Sequence, residues 1–149
     1  MSTSDVSTRS VAASTDSSTK AFGRFAELGG RILLAALFLS SGLGKIGAYA
    51  GTAAYMSSLG VPGALLPAVI AVEVVGAIAI IVGWKTRVAA FLLAGFSVLS
   101  ALIFHSNFAD QVQTIMFFKN ISIAGGFLLL VANGAGALSI DSLRKRGNR

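Results

Sequence analysis

The chain has 149 residues, of which 54% are hydrophobic and 12% charged, with a net charge of +6 and no cysteine. Charged residues at about half their usual share leave a domain this small too little polar surface to be wetted all round, and with a mean hydropathy of +0.79 the implied solvent for most of the chain is lipid. That excludes a water-soluble enzyme, a disordered chain and a disulfide-stapled secreted domain. It also removes thiol redox chemistry, thiolate metal sites and covalent haem attachment.

Residues 1–23 read as a flexible cytoplasmic tail, because Ser and Thr dominate the first twenty positions and such a stretch buries too little apolar surface to offset its ordering entropy. Asp5 and Asp16 argue against an organelle transit peptide. A secretory signal is the other rival, since Arg24 and Arg31, an apolar core and Ala48-Tyr49-Ala50 follow one another. The long charged region and Lys45 directly after the core weigh against it.

Four apolar runs follow, expected at residues 25–46, 64–82, 88–104 and 113–133, with a basic cytoplasmic tail over 142–149. Runs of this length cross a bilayer as helices, whereas barrel strands are shorter and alternate in polarity. The expected fold is therefore an all-α, four-helix membrane bundle. The first outer connection should hold a short interfacial helix over Thr52 to Leu59, stopped by Gly60-Val61-Pro62-Gly63. Ala36, Ser40, Gly44 and Ala48 form a four-residue stripe that should let a neighbouring helix approach closely, and Gly125-Gly126 should do the same on the fourth span.

Charge gives the orientation. Arg9, Lys20, Arg24, Arg31, Lys85, Arg87, Arg144, Lys145, Arg146 and Arg149 fall on one side of a four-span chain, against Lys45 and Lys119 on the other. The positive-inside rule then places both termini in the cytoplasm. Trp84, in the tight turn with Lys85 and Arg87, is expected at the headgroups, and Arg31 is expected to extend to them as well. No nucleic-acid partner is called for, because the cations do not gather on one folded face and a membrane protein acquires a basic balance by orienting itself.

The residues that do not belong in lipid carry the functional signal. Each charge near the bilayer centre costs about 2.5–3.5 kcal/mol, so it turns inward and finds a partner. Glu73 lies ~13 Å below the outer surface and Lys119 ~9 Å, which suggests that they pair. Lys45 and Arg31 are fourteen residues apart, roughly 40° short of four turns, so they share a face of the first helix. With His105 at the end of the third span and Asn120 beside Lys119, the candidate pocket is Lys45, Glu73, His105, Lys119 and Asn120. It would suit a quinone, a lipid headgroup, an anion or protons. A buried ion pair that merely sets helix register is the plain alternative. One His and one Glu on different helices make no metal-ligand spacing.

At these residues the chain resembles the DoxX family of small four-helix bacterial membrane proteins. The matching elements are Gly42-x-x-Lys45, Gly60-x-Pro62, Glu73, Gly83 and Arg87, Lys119-Asn120, Gly134-x-Gly136 and Ser139-x-Asp141, in order around four spans from Arg24 to Asp141. The resemblance implies an integral inner-membrane protein with both termini inside. It also implies company: some relatives are described as membrane partners of redox enzymes, or as similar to the small subunit of a thiosulfate:quinone oxidoreductase. Related four-helix families with redox roles often carry cysteines, and this chain has none, so it is not expected to transfer electrons itself.

Three functions are consistent with this pattern. The first is an accessory membrane subunit or anchor for a redox partner, with a quinone or lipid held near Glu73, Lys45 and His105. The second is a small transporter or permeability element, which would need a homo-oligomer because four helices are too thin for a wide pore. The third is a purely structural membrane protein. No nucleophile–base pair, phosphate loop or metal motif is visible, so any catalytic role is expected to be that of a subunit of an oxidoreductase complex.

Overall fold

Local sequence signals set the helix boundaries in the computed structural model, which describes residues 3–147, with side chains from residue 18 onward. Helix α1 runs Thr3–Gly47, so of the tail expected over 1–23 the side chains of the first seventeen residues lie outside the described ones and the remainder continues the helix. Helix α2 (Tyr49–Ser58) follows after the single residue Ala48, which leaves helical torsions at φ −109° and ψ 34° while its N–H still donates to the Gly44 carbonyl at 3.0 Å. It stops where Gly60 turns left-handed at φ +79°, ahead of Pro62. A short 3-10 turn over Gly63–Leu65 leads into α3 (Leu66–Val82), with Pro67 in its first turn, where a missing N–H costs nothing.

Helix α3 ends on Gly83 at φ +70°, and α4 (Thr86–Phe104) begins three residues later. Helix α5 (Gln111–Asn133) is capped by Asp110, whose side chain accepts hydrogen bonds from the Val112 and Gln113 N–H groups at 2.7 and 3.3 Å. A short basic helix, α6 (Ile140–Gly147), closes the described chain.

Among the described residues, four helical stretches are long and apolar enough to cross a bilayer: Ser18–Gly47, Gly63–Val82, Thr86–Phe104 and Gln111–Asn133. Large side chains cover their outer faces, with Leu33, Phe91 and Leu129 each well over half exposed. A surface of this kind requires lipid around it. The interior is built instead from small residues, among them Ala35, Ala77, Ala90 and Ala124, around the edge-to-face pair Phe38 and Phe127 at 5.3 Å between ring centres. Without a hydrophobic drive between helices in lipid, close packing of small residues is what holds such a bundle together. Helix α3 packs against α1 and α4, α4 against α5, and α1 meets α5.

The stripe of small residues on α1 behaves differently from expectation. Ala36, Ser40, Gly44 and Ala48 are all exposed, and a Cβ on Gly44 would meet nothing within 4 Å. The contact face lies to one side, at Ala35, Phe38 and Gly42, where Phe38 enters the core between two small residues while the stripe points outward. On α5, Gly126 faces Leu34 of α1 as a close-approach position and Gly125 faces open space.

Arg31 is also corrected. It does not extend to the headgroups but is wholly buried. Its Nη1 donates to the carbonyls of Ile80 and Ile81 at 3.2 and 3.4 Å, and its Nη2 to the carbonyl of Leu138. The last carbonyls of a helix lack intrahelical partners and carry partial negative charge, so the end of α3 offers the guanidinium what the headgroups would otherwise supply. Gly83 makes the approach feasible, since a Cβ there would overlap both Arg31 Nη1 and Ser139. Gly136, at φ +73°, similarly leaves space for the Glu27 carboxylate.

The segment after α5 is fastened to the α3–α4 turn. The Asp141 N–H donates to the Gly83 carbonyl at 2.9 Å. Its carboxylate accepts from the Lys85 and Thr86 N–H groups at 2.8 and 2.9 Å. Trp84 stands half exposed in that turn, and the Lys85 ammonium lies 5.6 Å from its ring centre.

Candidate functional site

At the opposite end of the bundle, α1 and α3 approach closely through Gly42. A Cβ at that position would lie 2.7 Å from Val74 Cγ2 and 3.2 Å from the Glu73 Cβ. This approach brings the Glu73 carboxylate, only 4% exposed, against the next turn of α1. Lys45 Nζ donates to both carboxylate oxygens at 2.9 Å, and to Ser41 Oγ at 2.6 Å. Ser41 in turn donates to Glu73 Oε1 at 3.3 Å. The ammonium's three protons and the serine hydroxyl are therefore all used. That is the arrangement a buried pair needs if its mutual attraction is to offset the cost of leaving water.

The pairing differs from the one expected with Lys119. The Lys119 side chain is exposed and its Nζ rests 2.9 Å from Met116 Sδ on its own helix. Similar depth is not enough to pair two groups: Lys119 bonds within its own helix, whereas Lys45 is carried directly onto Glu73 by the Gly42 contact. Ser41 was not singled out from sequence, although its position four residues before Lys45 on a helix is the signal that would have found it.

Above the pair lies a cavity of about 480 Å³. Lys45, Glu73, His105, Lys119 and Asn120 all line it, joined by Ser41, Thr52 and Ser100, but among these five Lys45 and Glu73 alone bond to each other. His105 Nδ1 lies 2.7 Å from the Gln113 side-chain oxygen, which holds the ring across the α4–α5 connection. Asn120 Nδ2 donates to the Met116 carbonyl at 2.9 Å. The walls are apolar and aromatic: Phe38, Val69, Met56 and Phe96, with Tyr55 of α2 stacked on Phe104 at 5.9 Å. Helix α2 thus folds over the cavity through buried Met56 and the Tyr55 ring. Leu37, Leu99 and Ile103 line the cavity and are also exposed on the outer surface, so the space reaches the lipid-facing side. A polar floor, aromatic walls and a lateral opening suit an amphiphile arriving from the bilayer.

Comparison with known proteins agrees with this membrane setting. The DoxX family model matches residues 26–106. The Escherichia coli inner membrane protein YqjF is 54% identical over 113 residues, covering 76% of this chain and 87% of that protein. The Escherichia coli inner membrane protein YphA is 42% identical over 118 residues, covering 74% and 84%. The ER-derived vesicles protein ERV29 of Saccharomyces cerevisiae is 31% identical over 81 residues, about half of this chain and 26% of that protein. No solved structure matches the chain.

Proposed function

The chain belongs to the DoxX family, and from that premise we propose that it is a multi-pass inner-membrane protein, both termini cytoplasmic, that holds a quinone-type ligand for a redox partner. The observation that carries this reading is the Lys45–Glu73 pair, set at the floor of a cavity with apolar walls that opens toward lipid. A quinone ring presents carbonyl oxygens to polar groups and apolar faces to aromatic walls, while its isoprenoid tail needs a side exit into the bilayer. His105 and Asn120 supply further polar atoms at the cavity's edge. The names of YqjF and YphA, together with the excess of basic residues at the end that carries both termini, support the inner membrane and the orientation. The absence of cysteine fits a protein that holds or presents the ligand while a partner moves the electrons.

The test is extraction of quinone from the full chain purified in mild detergent from native membranes. The expected result is quinone retained in near-stoichiometric amount, reduced at least tenfold in Glu73→Gln and in Ser100→Phe, which fills the cavity without touching the pair. Wild-type protein that repeatedly carries no quinone, and takes none up on addition, overturns the proposal.

A further inference from the structure

The structure holds a second, independent concavity at the other end of the bundle, of about 790 Å³, between the start of α4, the 133–137 segment and α6. Five cations line it, Lys85, Arg87, Arg144, Lys145 and Arg146, against a single carboxylate, Asp141. That carboxylate is already engaged by the Lys85 and Thr86 N–H groups. Among the described residues none of the five cations has a carboxylate within ion-pair distance. They come from two elements far apart in sequence, and the Asp141 latch is what brings them to one cleft. Arg87 Nε lies beside Gly134, 3.6 Å from where a Cβ would stand, so the Arg87 side chain runs along the 133–137 segment.

The surroundings say what kind of anion this cleft meets. Leu138, Ile140 and Leu143 are exposed beside it, as are Trp84 and Val88. Exposed apolar groups next to a cluster of cations, at the level where the spans end, mark a surface lying in the headgroup region with its apolar side chains in the acyl layer. A soluble anion would gain from the cations alone, whereas a lipid gains from both. We propose that this cleft is a binding site for an anionic phospholipid, its headgroup phosphate held by Arg87, Arg144 and Arg146 and its acyl chains lying against Leu138 and Leu143. Helix α6 is then more than a tail: it is half of a lipid clamp whose other half is the α3–α4 turn.

The test uses the full chain in detergent with defined lipids, reading lipid retention by native mass spectrometry. With phosphatidylglycerol, cardiolipin and phosphatidylcholine supplied at equal mole fraction, the anionic lipids should be retained preferentially. Roughly fivefold per cation removed gives a ~100-fold loss of that preference in Arg87→Gln/Arg144→Gln/Arg146→Gln, with quinone retention unchanged. The single variant Arg144→Gln, on the exposed face of α6, should lose about fivefold and serves if the triple variant unfolds. Equal retention of phosphatidylcholine overturns the proposal. So does displacement of the bound lipid by inorganic phosphate at matching phosphate concentration, which would make the cleft a plain anion site.

Discussion

Arg31 and Lys45 stand on one face of α1 and close the two ends of its contact with α3: Arg31 donates to the carbonyls of Ile80 and Ile81, and Lys45 to the carboxylate of Glu73. The same two helices are thus pinned by one cation to a helix end and by another to a buried acid. Between these points the seam consists of small and apolar side chains, Ala35, Phe38, Ala77 and Ile80 among them. Lipid gives such a seam no hydrophobic drive, so the polar contacts at its ends fix its register.

Lys45→Met leaves the Glu73 carboxylate charged and buried and should destabilise the protein by about 3–5 kcal/mol, whereas Glu73→Gln leaves a Lys45 side chain that is 24% exposed and should cost less. The double variant should recover most of the Lys45→Met loss. Lys119→Met, which touches neither partner, should change stability by less than about 0.5 kcal/mol. Thermal unfolding in detergent, followed by circular dichroism, reads all four. A Lys119 variant as damaging as Lys45→Met would contradict the pairing.

Arg31→Met removes the guanidinium donors to the carbonyls of Ile80, Ile81 and Leu138, of which Ile80 keeps the Gly83 N–H at 3.2 Å and the other two lose their donor. Unsatisfied buried acceptors cost about 1–3 kcal/mol each, and the 134–139 segment loses one of its attachments. The expected outcome is a loss of at least ~3 kcal/mol together with cleavage by protease between Gly134 and Ser139, where the wild-type chain resists. Normal resistance would show that Asp141 holds the segment unaided.

Gly42 sets the distance between α1 and α3. Gly42→Ala places a methyl group against Val74 and should cost about 1–3 kcal/mol through forced separation of the helices. Val74→Ala in the same chain should restore part of it. Gly44→Ala, with open space beside it, should be neutral or stabilising by up to ~1 kcal/mol from helix propensity. Comparing the unfolding midpoints of these three variants separates close packing from backbone entropy.

The latch at Asp141 depends on pH in a definite direction. Burial opposes ionisation of this carboxyl, but hydrogen bonds from Thr86 and Lys85 and the charge of Lys145 outweigh it and hold its pKa below the ordinary value. A carboxyl lowered by folding adds stability that is fully present above its unfolded pKa and is lost as pH falls through the folded one. Hydrogen exchange at the Lys85 and Thr86 amides should therefore stay slow near neutral pH and gain, below the ordinary carboxylate range, an opening contribution beyond the intrinsic pH dependence of exchange. In Asp141→Asn that extra contribution should vanish. An unchanged profile in the variant would show that another group controls the latch.

Much of the fold was legible in residue order. Length and apolar content place helices in lipid without reference to any contact, because a backbone in hydrocarbon has to satisfy its own hydrogen bonds. Gly60 with Pro62, and Gly83, mark ends that depend on their own torsions. The shared face of Arg31 and Lys45 follows from helical rotation alone. The expectation that Glu73 finds a cation follows from the cost of an unpaired charge in hydrocarbon.

Which cation it finds was decided by the tertiary structure. Lys45 and Lys119 were both within reach by depth, and the choice between them came from the side-to-side approach at Gly42, which no one-dimensional pattern encodes. The same is true of Arg31, whose acceptors lie on α3 and on the segment after α5, and of the basic cleft, whose halves are 57 residues apart from Arg87 to Arg144. Periodicity and torsion are local quantities, written into neighbouring residues. The partner of a buried charge is not, because it depends on which helix faces come to rest against each other once the whole bundle has packed.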